Sequence, residues 1–257
     1  MRRWTALLLL LPLAGPARAA PPPSGVQAAS GFEAMSPALQ ALQRDDTQNP
    51  AMLWVQDGAQ AWAAAPPGGR SCQACHGPAP RSMAGVAARY PAFDAGLGRP
   101  LNLAQRVNQC RQRHQGLPAL APESQTLLGL AAYLGLQSRG LPLRPPEDPR
   151  LAPWRARGEA LYRQRIGQLD LACQHCHAQR AGLHLGGSVI PPGDPLGYPL
   201  YRLEWQGMGS LQRRLRGCMS GVRAQPYDWD APELLALELY LAQRFAGLPL
   251  QTPALRP

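Results

Sequence analysis

The sequence predicts an all-α protein made of two tandem domains that are related by internal duplication. Three observations support this prediction. The second half repeats the landmarks of the first, a proline-rich stretch separates the two halves, and no run shows the sustained period-two alternation that is typical of strands. Strands are therefore expected to be minor.

The repeated landmarks occur in the same order in both halves. The first is a glycine followed four residues later by an aromatic residue, which predicts the start of an amphipathic helix. An Arg-x-x-x-Cys segment comes next, then Ala-Pro-Glu at the start of a Leu/Ala-rich helix, and finally Gly-Leu-Pro-Leu, a typical helix stop. The matching segments are 58–62 with 158–162, 106–110 with 214–218, 121–123 with 231–233, and 140–143 with 247–250.

The proline-rich stretch lies at residues 143–150 and reads Leu-Arg-Pro-Pro-Glu-Asp-Pro-Arg, a composition typical of a semi-rigid linker. We place the domain boundary within it. The N-terminal domain then covers 20–147 and the C-terminal domain covers 148–257, lengths that suit one compact domain each.

The first 19 residues have the layout of a secretory signal peptide. Arg2 and Arg3 precede an apolar run over 6–13, and Gly-Pro-Ala-Arg-Ala at 15–19 supplies the small residues of a cleavage site. The apolar run is too short to cross a bilayer. We therefore expect cleavage after Ala19 and export to the periplasm. No later stretch is long and apolar enough to predict a membrane span.

The chain is basic, and arginine is its only basic residue apart from histidine. The formal net charge of +10 falls to +7 once the three arginines of residues 1–19 are removed. A basic protein can bind nucleic acid, but export argues against that partner. An acidic protein or an anionic substrate fits the charge better.

Four of the six cysteines lie in two Cys-x-x-Cys-His motifs. The motifs comprise Cys72, Cys75 and His76, and Cys173, Cys176 and His177. Two thiols at this spacing reach the two vinyl groups of one porphyrin, and the adjacent imidazole ligates its iron. A zinc ribbon would hold its two Cys-x-x-Cys pairs about 15–20 residues apart, and neither zinc nor thioredoxin chemistry requires the histidine. The motifs therefore predict a c-type cytochrome with two covalently bound haem c groups.

The two remaining cysteines occupy matching positions of the repeat. Cys110 follows the first motif histidine by 34 residues, and Cys218 follows the second by 41. Because each belongs to its own half, we expect each to ligate its own iron rather than to form a disulfide with the other. The layout of each half resembles a class I cytochrome c domain, in which a long loop carries the second iron ligand. The alternative ligands that remain open are Met83 or His114 in the first half, and Met208 or Met219 in the second.

The surroundings of Cys218 indicate a reactive thiol. Four arginines lie within five residues of it, namely Arg213, Arg214, Arg216 and Arg223. Positive charge lowers the pKa of a thiol, and guanidinium groups bind oxyanions through paired hydrogen bonds. A thiolate ligand also stabilises ferric iron, which suits sulfur chemistry better than electron carriage. Although any one of these arginines could belong to a solvated basic loop, the set predicts that the second half is catalytic and the first ancillary.

Taken together, these features resemble the SoxA subunits of the SoxAX cytochromes, which belong to the bacterial sulfur-oxidising (Sox) system. The resemblance rests on the two haem motifs, the two downstream cysteines, and the segments Arg214-Leu-Arg-Gly-Cys218 and Val222-Arg-Ala-Gln-Pro-Tyr227. It implies an L-cysteine S-thiosulfotransferase. Such an enzyme joins thiosulfate oxidatively to a cysteine of the carrier protein SoxYZ and passes two electrons to cytochrome c.

The resemblance also implies roles for individual residues. Cys218 would be the catalytic residue, a persulfide-modified haem ligand, and Arg214 would bind the thiosulfate anion, with Arg213 and Arg216 as alternatives for that role. A monohaem partner subunit, SoxX, would bring a third haem close to this site.

Two other functions fit the same motifs. A thiosulfate dehydrogenase couples two thiosulfates to tetrathionate and needs no carrier protein, and a plain dihaem cytochrome carries electrons without chemistry of its own. A dihaem peroxidase is disfavoured, because peroxide needs an open iron position and the two cysteines are expected to fill both.

Overall fold

A computed structural model describes residues 30–257, so the predicted signal peptide lies outside the described residues. Ten α-helices occur in this part of the chain: α1 Pro37–Arg44, α2 Ala51–Ala63, α3 Cys72–His76, α4 Ala79–Ser82, α5 Leu103–His114, α6 Gln125–Leu136, α7 Ala152–Arg163, α8 Cys173–His177, α9 Leu211–Gly221 and α10 Pro232–Arg244. Seven short strands accompany them: β1 Ala92–Asp94, β2 Arg99–Leu101, β3 His184–Leu185, β4 Ser188–Val189, β5 Leu200–Arg202, β6 Gly207–Gly209 and β7 Ala254–Arg256.

One pair of long helices packs together in each half, α2 with α6 and α7 with α10. The repeated glycines sit at these crossings. A Cβ atom on Gly58 would lie 2.0 Å from the carbonyl oxygen of Gly129, and one on Gly158 would lie 2.0 Å from that of Ala236. Only glycine allows the two backbones to approach so closely, which explains why the sequence repeats it.

The repeated aromatic residue follows each glycine by one helical turn and packs against a tyrosine of the partner helix. The ring of Trp62 lies 6.4 Å from that of Tyr133, and the ring of Tyr162 lies 5.2 Å from that of Tyr240. Trp62 and Tyr162 are both almost fully buried. The aromatic pairs therefore anchor each helix crossing next to the motif helices α3 and α8.

A hairpin followed by a helix occurs in each half. Strand β1 pairs with β2 just before α5, and β5 pairs with β6 just before α9. Asn102 caps the N-terminus of α5 with its side chain, accepting from the backbone amide of Gln105, and Ser210 caps α9 in the same way through the amide of Arg213. The hairpins and caps together set where the two helices begin.

The two halves share their hydrophobic clusters. One cluster contains Val55 and Leu128 from the first half with Tyr201 and Leu255 from the second. Strand β7 at the C-terminal end lies parallel to β5, and its neighbour Pro253 accepts a hydrogen bond from Asn49 near the start of α2. The halves therefore pack as one body through a continuous core.

The structure differs from the sequence prediction in three respects. The strands, each of two or three residues, are minor as expected, but with them the fold is not all-α. The repeated glycines, Gly58 and Gly158, lie inside α2 and α7 and not at the starts of these helices. In addition, Cys110 and Cys218 lie within α5 and α9 rather than on long loops. The N-caps at Asn102 and Ser210 begin both helices early enough to include the cysteines. Among residues 30–257, no helix is long and apolar enough to cross a membrane.

Candidate haem and substrate site

The second motif lies on α8, a single short helix that holds Cys173, Cys176 and His177. The Nδ1 atom of His177 lies 2.8 Å from the backbone carbonyl oxygen of Pro191. A hydrogen bond donated by Nδ1 leaves Nε2 free to bind a metal, the arrangement usual for metal-ligating histidines. Gly193 keeps this face open, since a Cβ atom there would lie 3.1 Å from the His177 ring.

The thiol of Cys218 faces the imidazole of His177 across this site. Burial alone would raise the pKa of Cys218, but a hydrogen bond with His177 and the positive charge of Arg214 outweigh it, so the pKa is lowered. Burial and, to a smaller extent, the nearby Cys218 raise the pKa of Cys173 to about 11. The structure therefore brings together the second motif, Cys218 and Arg214.

The arginines around Cys218 separate into different roles. Arg213 stacks on Trp205, with its guanidinium carbon 4.2 Å from the ring centre, and Arg216 stacks on Trp229 at 4.6 Å. Within residues 30–257, the guanidinium of Arg214 makes neither a hydrogen bond nor an ion pair with another side chain, and its charge acts on both Cys218 and His177. Of the three, Arg214 is the one placed to bind an anion beside the thiol.

Two further groups of this site were missed by sequence reasoning. Arg202, at the end of β5, also lowers the pKa of Cys218 through its charge, and Tyr198 precedes the same strand. Burial raises the pKa of Tyr198, so its hydroxyl remains a hydrogen-bond donor. Both lie more than a dozen residues before Cys218, outside the arginine cluster. The internal repeat could have pointed to this hairpin, because a Tyr-Pro dipeptide begins the hairpin in each half.

The first motif is arranged differently. It lies on α3, where His76 is exposed and packs against Trp62, the two ring centroids being 5.6 Å apart. Burial raises the pKa of Cys110, and the charge of Cys75 raises it further, so the thiol of Cys110 lies close to this motif. No hydrogen bond to a described residue holds the imidazole of His76. The structure thus places Cys110 close to the first motif, but no hydrogen bond from the described residues orients the imidazole of His76.

The alternative iron ligands are distributed as follows. His114 is exposed at the end of α5, and Met83 packs beside Cys72 in the cluster around Trp62. Met208 is buried in the cluster formed with α2, and Met219 is buried beneath α10. Met208 therefore lies in a different cluster from the second motif. Met83 shares a cluster with Cys72, and Met219 shares one with Cys173.

The residues of the second site fit a covalently attached haem. Two thiols on one helical turn can form the thioether bonds, and the imidazole and thiolate that face each other are iron ligands of the types found in haem proteins. The buried hydroxyl of Tyr162 has no hydrogen-bond partner among the described residues, and it lies near Cys173 and Cys176. A bound group could satisfy this unpaired hydroxyl. Fold and site together define a c-type cytochrome.

Comparisons with known proteins give the family. A family model described as SoxA/TsdA, cytochrome c domain, matches residues 57–143. The L-cysteine S-thiosulfotransferase subunit SoxA of Pseudaminobacter salicylatoxidans is 36% identical over 214 residues, covering 82% of this chain and 75% of that protein. The SoxA subunit of Paracoccus pantotrophus is 34% identical over 228 residues, covering 88% of this chain and 78% of the relative.

A solved structure agrees with the sequence relatives. The crystal structure of SoxXA from P. pantotrophus matches with a TM-score of 0.85 and 34% sequence identity, covering 89% of this chain and 86% of that chain. The chain therefore belongs to the SoxA family, the SoxA subunits of L-cysteine S-thiosulfotransferase. The predicted resemblance and the cytochrome c-type fold are both confirmed.

Proposed function

We propose that this chain is the catalytic dihaem subunit of a SoxAX complex, which transfers thiosulfate oxidatively onto a cysteine of the carrier protein SoxYZ. The observation that carries this proposal is the unpaired guanidinium of Arg214 beside the thiol of Cys218. A dianionic substrate needs positive charge to offset its desolvation, and a sulfur acceptor needs a thiolate. Both requirements are met by two residues one helical turn apart on α9.

The chemistry balances with cytochrome c as the electron acceptor. One S–S bond forms between the outer sulfur of thiosulfate and the carrier cysteine, the thiol proton is released, and two electrons leave. A haem supplies a one-electron acceptor when it is bound. Arg214 holds the sulfonate end of thiosulfate, and Cys218 provides the sulfur that can keep the substrate as a persulfide-type adduct until the carrier thiolate takes it over.

We assign one haem c to each half. Cys72 and Cys75 would attach the first, with His76 and Cys110 as iron ligands, and Cys173 and Cys176 the second, with His177 and Cys218 as iron ligands. The matched helix crossings and hairpins support two tandem cytochrome c-like domains that arose by duplication, with the boundary between residues 147 and 148.

The partners follow from the same family. The P. pantotrophus relative was solved as SoxXA, which supports a monohaem SoxX subunit as the partner of this chain. The signal-peptide pattern at 1–19 supports a periplasmic location, where thiosulfate, SoxYZ and a cytochrome c acceptor would meet.

A direct test uses the haem-loaded chain together with SoxX. The complex is incubated with thiosulfate, reduced SoxYZ and oxidised cytochrome c. We expect two cytochromes c to be reduced for each carrier cysteine that gains a thiosulfonate group, measured by absorbance and by mass spectrometry of the carrier. Haem-loaded Cys218→Ala should lose this activity, while Arg216→Met should keep it.

The same assay separates the alternative functions. Tetrathionate formed without SoxYZ would indicate a thiosulfate dehydrogenase. If Cys218→Ala turned over as fast as the unaltered complex, the thiol would have no catalytic role and the chain would be an electron carrier. Mass spectrometry of the unaltered chain should also show loss of residues 1–19, two haems and an extra sulfur on the peptide that contains Cys218.

A further inference from the structure

The hairpin and helix before each downstream cysteine match residue for residue. In the first half, Asp94 and Arg99 form the last pair of β1 and β2, and in the second half Arg202 and Gly207 form the last pair of β5 and β6. The N-cap follows each second strand directly, and the arginine lies four residues after the cap and the cysteine eight. Position 94 therefore corresponds to position 202, and Arg106 corresponds to Arg214.

In the first half, the two corresponding positions form an ion pair. A guanidinium nitrogen of Arg106 lies 2.8 Å from a carboxylate oxygen of Asp94, whose side chain is only 8% exposed. The same carboxylate accepts hydrogen bonds from the Leu97 backbone amide at 2.8 Å and from Gln109 at 3.2 Å. The charge of Arg106 is thus neutralised within its own half and is not available to an external anion.

In the second half, the carboxylate is replaced by a guanidinium. Arg202 stands where Asp94 stands, so Arg214 meets a second positive charge instead of a partner. Burial lowers the pKa of Arg202, and the charge of Arg214 lowers it further, as expected for two guanidiniums at close range. The side chain of Arg202 is 16% exposed, and Glu204, which is 62% exposed, is its ion-pair partner at 2.9 Å.

We propose that Arg202 is a second anion-binding residue of the Cys218 site, which together with Arg214 matches the two negative charges of thiosulfate. The assignment deepens the proposed function and rests on it. Among the described residues, the two guanidiniums have a single carboxylate partner, the exposed Glu204 on Arg202, so the site keeps excess positive charge, which a bound dianion offsets. Arg202 is held in place, because its Nε donates a 2.9 Å hydrogen bond to the Pro257 carbonyl, its guanidinium carbon lies 5.2 Å from the centre of the Trp205 ring, and strands flank it on both sides.

The proposal also gives a structural reason for assigning thiosulfate chemistry to the second half alone. Both halves have a cysteine one turn after an arginine, so the cysteine by itself cannot distinguish them. The residue at the end of the first hairpin strand does distinguish them. An aspartate there neutralises the downstream arginine, whereas an arginine there adds a second positive charge for an anion.

The test compares three substitutions at position 202 in the haem-loaded complex with SoxX. Arg202→Met removes the charge and should raise the KM for thiosulfate by about 10-fold, as expected for a lost charged hydrogen bond. Arg202→Asp recreates the ion pair of the first half and should raise it by about 100-fold. Arg202→Lys keeps the charge and should have a smaller effect than methionine. The kcat should change little, because the residue binds the sulfonate end rather than the reacting sulfur.

Arg216→Met and Asp94→Asn are the matched controls, and both should leave the KM for thiosulfate within about two-fold of the unaltered value. A haem-loaded Arg202→Asp protein whose KM also stays within about two-fold would overturn the proposal. If that variant fails to fold, Glu204→Gln serves instead, since the loss of a largely exposed carboxylate frees Arg202 without disturbing the core. Its KM should fall by about two- to five-fold, and an unchanged or higher KM would contradict the assignment.

Calorimetric titration of thiosulfate into the oxidised complex separates this inference from the proposed function. If the unaltered complex binds thiosulfate but does not transfer it to SoxYZ, the proposed function is wrong. The role of Arg202 in binding can still be tested, because it is measured by the dissociation constant for thiosulfate. If the unaltered, Arg202→Met and Arg202→Asp proteins had equal dissociation constants, Arg202 would not be a thiosulfate-binding residue, even if transfer occurs.

Discussion

Gln212 donates a 2.7 Å hydrogen bond to a carboxylate oxygen of Glu238, and Asn102 donates to the same oxygen at 3.2 Å. Gln212 lies in the first turn of the helix that carries Cys218, and Asn102 caps the helix that carries Cys110. One buried carboxyl group on α10 therefore joins the starts of the two helices that carry Cys110 and Cys218 and connects the two halves.

This carboxyl group should make stability depend on pH. Burial raises the pKa of Glu238 to about 7, the nearby Asp230 raises it too, and the two amide donors lower it. The folded protein holds this proton more tightly than the unfolded chain does, so the stabilisation is complete below the unfolded pKa near 4.5 and is lost as pH rises to about 7. The loss amounts to about 3 kcal/mol by pH 8.

Glu238→Gln should remove that pH dependence, because glutamine has no charge to bury and can still accept both hydrogen bonds. Urea titrations at pH 4.5, 6 and 8 measure the free energy of unfolding of each protein. We expect the difference between pH 4.5 and pH 8 to shrink by up to about 3 kcal/mol in the variant. Parallel pH profiles for the two proteins would contradict this expectation.

The crossing of α7 and α10 should not tolerate a larger residue at position 158. Gly158→Ala places a methyl group against the Ala236 carbonyl, so the helices must separate, at a cost of about 3 kcal/mol. Urea denaturation measures this change in stability. Gly221→Ala is the matched control, since a Cβ atom at that helical position meets nothing within 4 Å, and it should stabilise by about 0.5–1 kcal/mol. Equal effects of the two substitutions would show that the crossing is not tight.

The unpaired guanidinium of Arg214 predicts a binding defect that depends on salt. Arg214→Met should raise the KM for thiosulfate by at least about 10-fold and weaken the dependence of KM on ionic strength. Steady-state assays at two salt concentrations measure both effects. Arg216→Met, in which the lost guanidinium stacks on Trp229, should retain the unaltered salt dependence. If the two variants behaved alike, the basic helix as a whole and not Arg214 would attract the anion.

The two motifs predict how much haem each variant carries. Replacing Cys72 and Cys75 by serine should halve the haem bound per chain, and so should replacing Cys173 and Cys176 by serine. The pyridine haemochrome assay measures the haem content. Only the second replacement should abolish thiosulfate transfer. An unaltered chain that carries a single haem would contradict the assignment of one haem to each half.

Much of the architecture could be predicted from the sequence, because it depends on local patterns. The repeated glycines predicted a helix in each half, although they lie at the helix crossings and not at the helix starts. The motif spacing predicted that Cys173, Cys176 and His177 act together, and the structure places them on one short helix. Arg214 was chosen among its neighbours through the resemblance to the SoxA subunits, and the structure places it one helical turn before Cys218.

Other features depend on contacts that are distant along the chain. The strands are only two or three residues long and are defined by backbone pairing, which leaves no periodicity to detect. The role of Arg202 depends on a hairpin that brings it to α9, and the exposure of His76 depends on how α3 packs against Trp62. Arg213 stacks on Trp205 and Arg216 on Trp229. The positions of these two tryptophans are known only from the folded chain.

The closed ion pair between Asp94 and Arg106 makes the first half an internal reference for the second. A treatment that changes both proposed haem environments equally acts on the architecture that the two halves share. A treatment that changes only the second acts through the positive charge that is left without a partner there. Substrate analogues, inhibitors and changes of ionic strength can therefore be classified within a single polypeptide, without a separate inactive protein for comparison.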